Sequence, residues 1–102
     1  MTSYKIDYHF EALNDADDAY HWYELQKEGL GEEFLDHLYK KIIQIMDNPE
    51  NYSEKSKKGF RESKIDKFPY QIVYKLIKNK KTIFICSIYH YKRNDMKKYR
   101  KK

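Results

Sequence analysis

Residues 60–93 read FRESKIDKFPYQIVYKLIKNKKTIFICSIYHYKR, and the fold turns on this stretch. Residues 60–65 make a short strand and Asp66-Lys67 a turn. Residues 70–77 form a second strand with Ile72, Tyr74 and Leu76 on one face. Lys78-Asn79-Lys80-Lys81 then turns the chain into a third strand over 82–89. Three apolar segments joined by two short polar turns predict a meander. Off its last strand come His90, Tyr91, Lys92 and Arg93, which sets a titratable ring, a phenol and cations beside a sheet.

Towards the N-terminus, Tyr4, Ile6, Tyr8 and Phe10 alternate with Lys5, Asp7 and His9, the period of a half-buried strand. From Ala12 the period becomes helical: Ala12, Ala16, Ala19 and Tyr23 recur on one side, while Asp15, Asp17, Asp18 and Glu24 lie mostly on others. Acids near the start of this helix of about four turns suit its dipole. Gly29-Leu30-Gly31 breaks it. A second helix carries Phe34, Leu35, Leu38, Ile42, Ile45 and Met46 on an apolar stripe until Asn48-Pro49 stops it. The small residues of the first helix allow close packing, with Tyr20, Trp22 and Tyr23 filling the rest of the interface. The order β-α-α-β-β-β predicts an α+β fold, a helical hairpin packed on a mainly antiparallel sheet. Residues 1–94 make a single domain and 95–102 a basic tail.

Charge divides the 102-residue chain in two. Residues 1–50 hold four basic and twelve acidic side chains, a balance of −8, and residues 51–102 hold seventeen and four, a balance of +13. The basic half points to a polyanion such as RNA or DNA, or to an acidic protein segment, as partner; a solvated lysine-rich surface is the plainer alternative. With 40% apolar and 36% charged residues the chain is expected to fold and stay soluble. The one cysteine, Cys86, excludes an internal disulfide and reads as a small core residue in its apolar run. His21 and His37 lack the spacing of a metal site and read as surface or satisfied histidines, and no cofactor is expected. No apolar run approaches the ~20 residues of a membrane span, and the first residues do not read as a secretory signal, so a cytoplasmic protein is expected.

Trp22-Tyr23-Glu24, Gly29-Leu30-Gly31 with Phe34 behind it, Asn48-Pro49, Arg61, Phe68-Pro69-Tyr70 with Ile72 and Tyr74, and His90 followed by Arg93 stand in an order that resembles the RelE/ParE toxins of type II toxin–antitoxin systems. The resemblance covers nearly the whole chain. It implies one strand, a helical hairpin and a three-strand meander, as the periodicity does. It also implies a growth-inhibiting toxin neutralised by an antitoxin, here expected to be acidic. One branch of the family cleaves mRNA on the ribosome without a metal, and another poisons DNA gyrase without cutting nucleic acid.

Ribosome-dependent, metal-free mRNA cleavage is the expected activity, with a gyrase poison or an inactive, antitoxin-binding relic as alternatives. Such cleavage needs a base for the 2′-hydroxyl, an acid for the leaving oxygen and cations at the phosphate. His90 is the candidate acid or base, and Arg61 and Arg93 the phosphate clamp. Tyr91 is the stacking or proton-transfer residue, and Lys55, Lys57, Lys58 and Lys64 supply further phosphate contacts. Tyr89-His90-Tyr91 resembles the C-terminal Tyr-His-Tyr of YoeB-type mRNA-cleaving toxins, although this chain runs eleven residues further. For the catalytic glutamate of that branch, Glu50 and Glu54 are only loose counterparts. Trp22-Tyr23-Glu24, Gly29-Leu30-Gly31 and Phe68-Pro69-Tyr70 look more like the ParE or plasmid-stabilisation branch. His90 also reads as a strand-terminal histidine satisfied by a backbone carbonyl, and Arg61 as a surface ion-pair partner of Glu62 or Asp66.

Overall fold

A computed structural model of the chain describes residues 4–52 and 58–92. Its elements run β1 (Lys5–Tyr8), α1 (Phe10–Gln26), α2 (Leu30–Asp47), a 3-10 turn (Pro49–Asn51), β2 (Phe60–Lys64), β3 (Tyr70–Ile77), a second 3-10 turn (Lys78–Lys80) and β4 (Thr82–His90). The four strands form one sheet in the order β1-β4-β3-β2. β1 lies parallel to β4, and the other two pairs are antiparallel. This is the predicted α+β fold with its helical hairpin. α1 starts two residues before the predicted position because the imidazole Nδ1 of His9 accepts from the Glu11 N–H at 3.1 Å and caps the helix. Phe10 therefore sits in the first helical turn, exposed, with its ring stacked on His9 at 4.8 Å.

Glycines set how the two helices meet. Gly29 takes φ +88°, the left-handed conformation in which glycine meets no steric penalty, and reverses the chain. At Gly31 a Cβ would come within 2.6 Å of the Tyr20 carbonyl oxygen, so only glycine lets α2 begin this close to α1. The Glu24 carboxylate accepts from the N–H groups of Gly29 at 3.0 Å and Gly31 at 2.9 Å, tying the end of α1 to the start of α2. Glu24, Gly29 and Gly31 thus act together as a structural clasp.

Between helices and sheet, α1 buries Ala12, Ala19 and Tyr23, and α2 buries Phe34, Leu38, Ile42 and Ile45. They pack on Ile72, Tyr74, Ile83, Ile85 and Ile88. Tyr23, Phe34, Phe68 and Tyr70 interlock with ring centroids 4.8 to 6.1 Å apart, an arrangement worth more than its buried area alone. Trp22 departs from expectation. Its neighbour Tyr23 takes the core position, and Trp22, one helical step round, is left 51% exposed.

A β-bulge governs the far end of the sheet. Tyr74 pairs with Ile85 and Val73 with Ser87, so β4 holds one extra residue, Cys86, between consecutive residues of β3. Side chains alternate with period two, so the extra residue reverses which face every later side chain occupies. Ile83 and Ile85 face the helices before the bulge, and Ile88 does so after it. Phe84 and Cys86 pack with Phe60 and Val73 on the opposite face, where Cys86 is a fully buried small core residue as expected.

Candidate functional site

The bulge delivers His90 to the helical side of the sheet. It pairs with Tyr70, and the two rings meet edge to face at 5.1 Å. There the end of β4 and the flank of α1 enclose an open cavity of about 220 Å³ lined by Asp15, Asp18, Trp22, Tyr70, Ile88 and His90. Asp15 Oδ2 accepts the Ile88 N–H at 3.1 Å, which pins α1 against β4 just where the strand ends. His90 Nδ1 accepts the Lys92 N–H at 3.3 Å, so in the neutral ring Nε2 carries the hydrogen. The walls of the cavity are acidic and aromatic.

Tyr91 goes to the other side. Its N–H donates to the Pro69 carbonyl at 3.0 Å, and the Lys64 ammonium lies 5.1 Å from its ring centroid. On that outer face Gln71 bridges two strands: its amide donates to the Tyr89 hydroxyl at 2.9 Å and to a carboxylate oxygen of Glu62. Glu62, Gln71 and Tyr89 form a polar row across β2, β3 and β4, with Lys64 and Tyr91 at its edge. Sequence reasoning missed this row. Alternation places Glu62 and Gln71 on the outer face, but Tyr89 joins them only through the bulge in β4 and the register of three strands.

Arg61 stands elsewhere. It pairs with Tyr74 on β2, and its guanidinium donates to the carbonyl oxygens of Tyr52 and Glu50. The Tyr74 hydroxyl donates to the Pro49 carbonyl. Burial pushes the Tyr74 phenol well above its ordinary value of 10, with Arg61 pulling the other way. Arg61 and Tyr74 together hold the segment after α2 against the sheet, and the partners of Arg61 include backbone carbonyls. From the His90–Tyr70 row to the Arg61–Tyr74 row is four residues along β3 and two strand spacings across, roughly 16 Å between Cα atoms. The structure therefore brings Tyr91 and Lys64 together, places His90 behind them, and sets Arg61 apart.

Lys58 is exposed just before β2. Arg93, Lys55, Lys57, Glu54 and the predicted tail 95–102 lie outside the described residues. Glu50 is exposed and pairs with the Lys78 ammonium at 3.3 Å. His21 pairs with Asp17 at 3.3 Å, and His37 lies against Phe68 at 5.8 Å. Among the described residues no three His, Cys, Asp or Glu side chains are grouped to hold a metal, and no helix is long and apolar enough to cross a membrane.

Comparison with known proteins adds the family. The E. coli toxin RelE, as a free double mutant, superposes with a TM-score of 0.65 at 21% identity over 85% of this chain and 82% of its own. The chromosomal ParDE system of P. aeruginosa superposes at 0.74 with 14% identity, over 86% and 96%. The intact E. coli RelBE toxin–antitoxin complex gives 0.61 at 20% identity, over 84% and 94%. These likenesses establish the fold. No curated protein matches the chain significantly. The family model described as the ParE toxin of the type II toxin–antitoxin system parDE matches residues 6–95, from the second residue of β1 to beyond the end of β4. A match across every described element is membership, and the chain belongs to this RelE/ParE family of toxins.

Proposed function

We propose that this toxin arrests growth by binding a protein target, DNA gyrase, in the cytoplasm, and that it cuts no nucleic acid itself. The observation that carries this reading is the separation of the candidate catalytic groups. General acid–base cleavage needs its acid, base and cations within hydrogen-bond reach, about 3 Å, of one phosphodiester. His90 instead looks into a cavity walled by Asp15 and Asp18, which repel a phosphate, and Arg61 is ~16 Å away on backbone carbonyls. The match to a ParE model supports the gyrase branch. An antitoxin holds the toxin inactive in this reading, and its acidic segment complements the +13 half of the chain.

The outer polar row favours a second reading, metal-free mRNA cleavage on the ribosome. There Glu62 would be the base, Lys64 the cation and Tyr89 or Tyr91 the acid, all on one face of the sheet. A supercoiling assay with purified gyrase tests the first reading. Addition of the toxin should inhibit supercoiling and trap cleaved DNA, and adding the antitoxin should restore activity. Gyrase indifferent to a toxin that still stops growth would overturn the reading in favour of RNA. A chain that binds its antitoxin but leaves growth unaffected would be an inactive relic.

A further inference from the structure

The cavity at the end of β4 has a chemistry that the functional reading leaves unused. At about 220 Å³ it falls below the roughly 300 Å³ at which small-molecule sites begin, and so it suits one side chain. Two carboxylates, Asp15 and Asp18, stand beside the rings of Trp22, Tyr70 and His90. Carboxylates with aromatic faces are the receptor for a cation, and a planar guanidinium can use both at once by stacking on a ring while donating sideways to an acid. The charge stands against its surroundings, since the half of the chain that contributes Tyr70, Ile88 and His90 carries +13. Beyond Trp22 at the cavity wall, the 84% exposed Leu25 continues the same flank of α1 at helical spacing, and the two offer apolar contact to whatever brings the cation.

We propose that this cavity receives the guanidinium of one arginine from the antitoxin segment that binds the toxin, with the neighbouring residues of that segment lying over Trp22 and Leu25. The proposal rests on neutralisation by an antitoxin. An otherwise acidic segment that tracks the basic half gains its register from a single opposite charge placed here, because a slip would leave Asp15 and Asp18 without their cation.

Trp22 is the chain's one tryptophan and so reports on the cavity directly. The probes are N-acetyl-arginine amide and its neutral isostere N-acetyl-citrulline amide, titrated into the full chain while Trp22 fluorescence is read. The arginine probe should give a saturable change with a dissociation constant on the order of millimolar, the citrulline probe none, and Asp18→Lys should abolish the response. No response, or equal responses to both probes, overturns the proposal. In a second arm the complex with the antitoxin is measured for wild type and Asp18→Lys. A loss of about tenfold or more in affinity is expected. A wild type that binds its antitoxin no more tightly than Asp18→Lys overturns the cavity assignment while leaving neutralisation intact. A wild type that binds no antitoxin removes the partner, and with it the proposal as stated, even if the free arginine probe binds.

Discussion

The two sides of the sheet at its His90 end present opposite chemistries. On the helical side His90 faces an acidic, aromatic cavity, and on the outer side Tyr91 meets Lys64 beside the Glu62–Gln71–Tyr89 row. Adjacent residues of one strand serve opposite chemistries because side chains alternate, and the extra residue Cys86 decides which goes where. A charge count by halves misses this. The acidic helices lend Asp15 and Asp18 to the end of the basic half, so the surface that a nucleic acid would meet depends on the side from which it approaches.

Inserting one alanine between Ser87 and Ile88 attacks this difference most strongly. With the β3 register kept, every side chain after the insertion would change face, sending Ile88 and His90 outward and Tyr89 and Tyr91 inward. We expect a loss of roughly 3–5 kcal/mol in urea denaturation, of the order of losing a large core side chain, and abolished growth inhibition. Unchanged stability would mean that the residue count of β4 is not what separates the two sides.

Gly31→Ala disturbs only the helical side. The added Cβ must push back Tyr20 and with it α1, at a cost of about 1–3 kcal/mol by the same denaturation measurement. Amide exchange at Ile88, whose N–H donates to Asp15, should speed up, while the outer row keeps its protection. Equal loosening of both faces would show that they are not independent.

Gln71→Leu does the reverse. It removes the bridge between Glu62 and Tyr89 and should cost about 1–3 kcal/mol, yet leave growth inhibition in place if the toxin is a binder. Loss of inhibition in a folded Gln71→Leu variant would point to the outer row as a catalytic surface. Smallest is Lys64→Ala, which removes a cation from the face of Tyr91 and should cost about 0.5 kcal/mol in stability with growth inhibition unchanged.

What could be read from the residues follows from what each signal depends on. The helix faces came from local periodicity, and Ala12, Ala19 and Tyr23 are buried as that period requires. Trp22 was misplaced because an aromatic beside an apolar stripe carries no information about which of two neighbours takes the core. The run of residues 82–88 is buried on both faces, so its composition hides the bulge, and with it the side to which His90 points. Arg61 was legible as a sheet residue, but its partners Tyr52 and Glu50 reach it across a segment that only the tertiary fold brings back. The clasp of Glu24 on Gly29 and Gly31 shows why that motif spacing exists, and the reason is the helical hairpin.

The central claim, that the toxin acts by binding and not by cutting RNA, is tested most directly by primer extension on abundant mRNAs after induction of the wild-type chain. Growth should stop while the 5′ ends of those mRNAs stay as they were before induction. New 5′ ends inside coding sequence, appearing with the wild type and lost in Glu62→Gln, would contradict the account and identify the outer face of the sheet as an RNA-cleaving site.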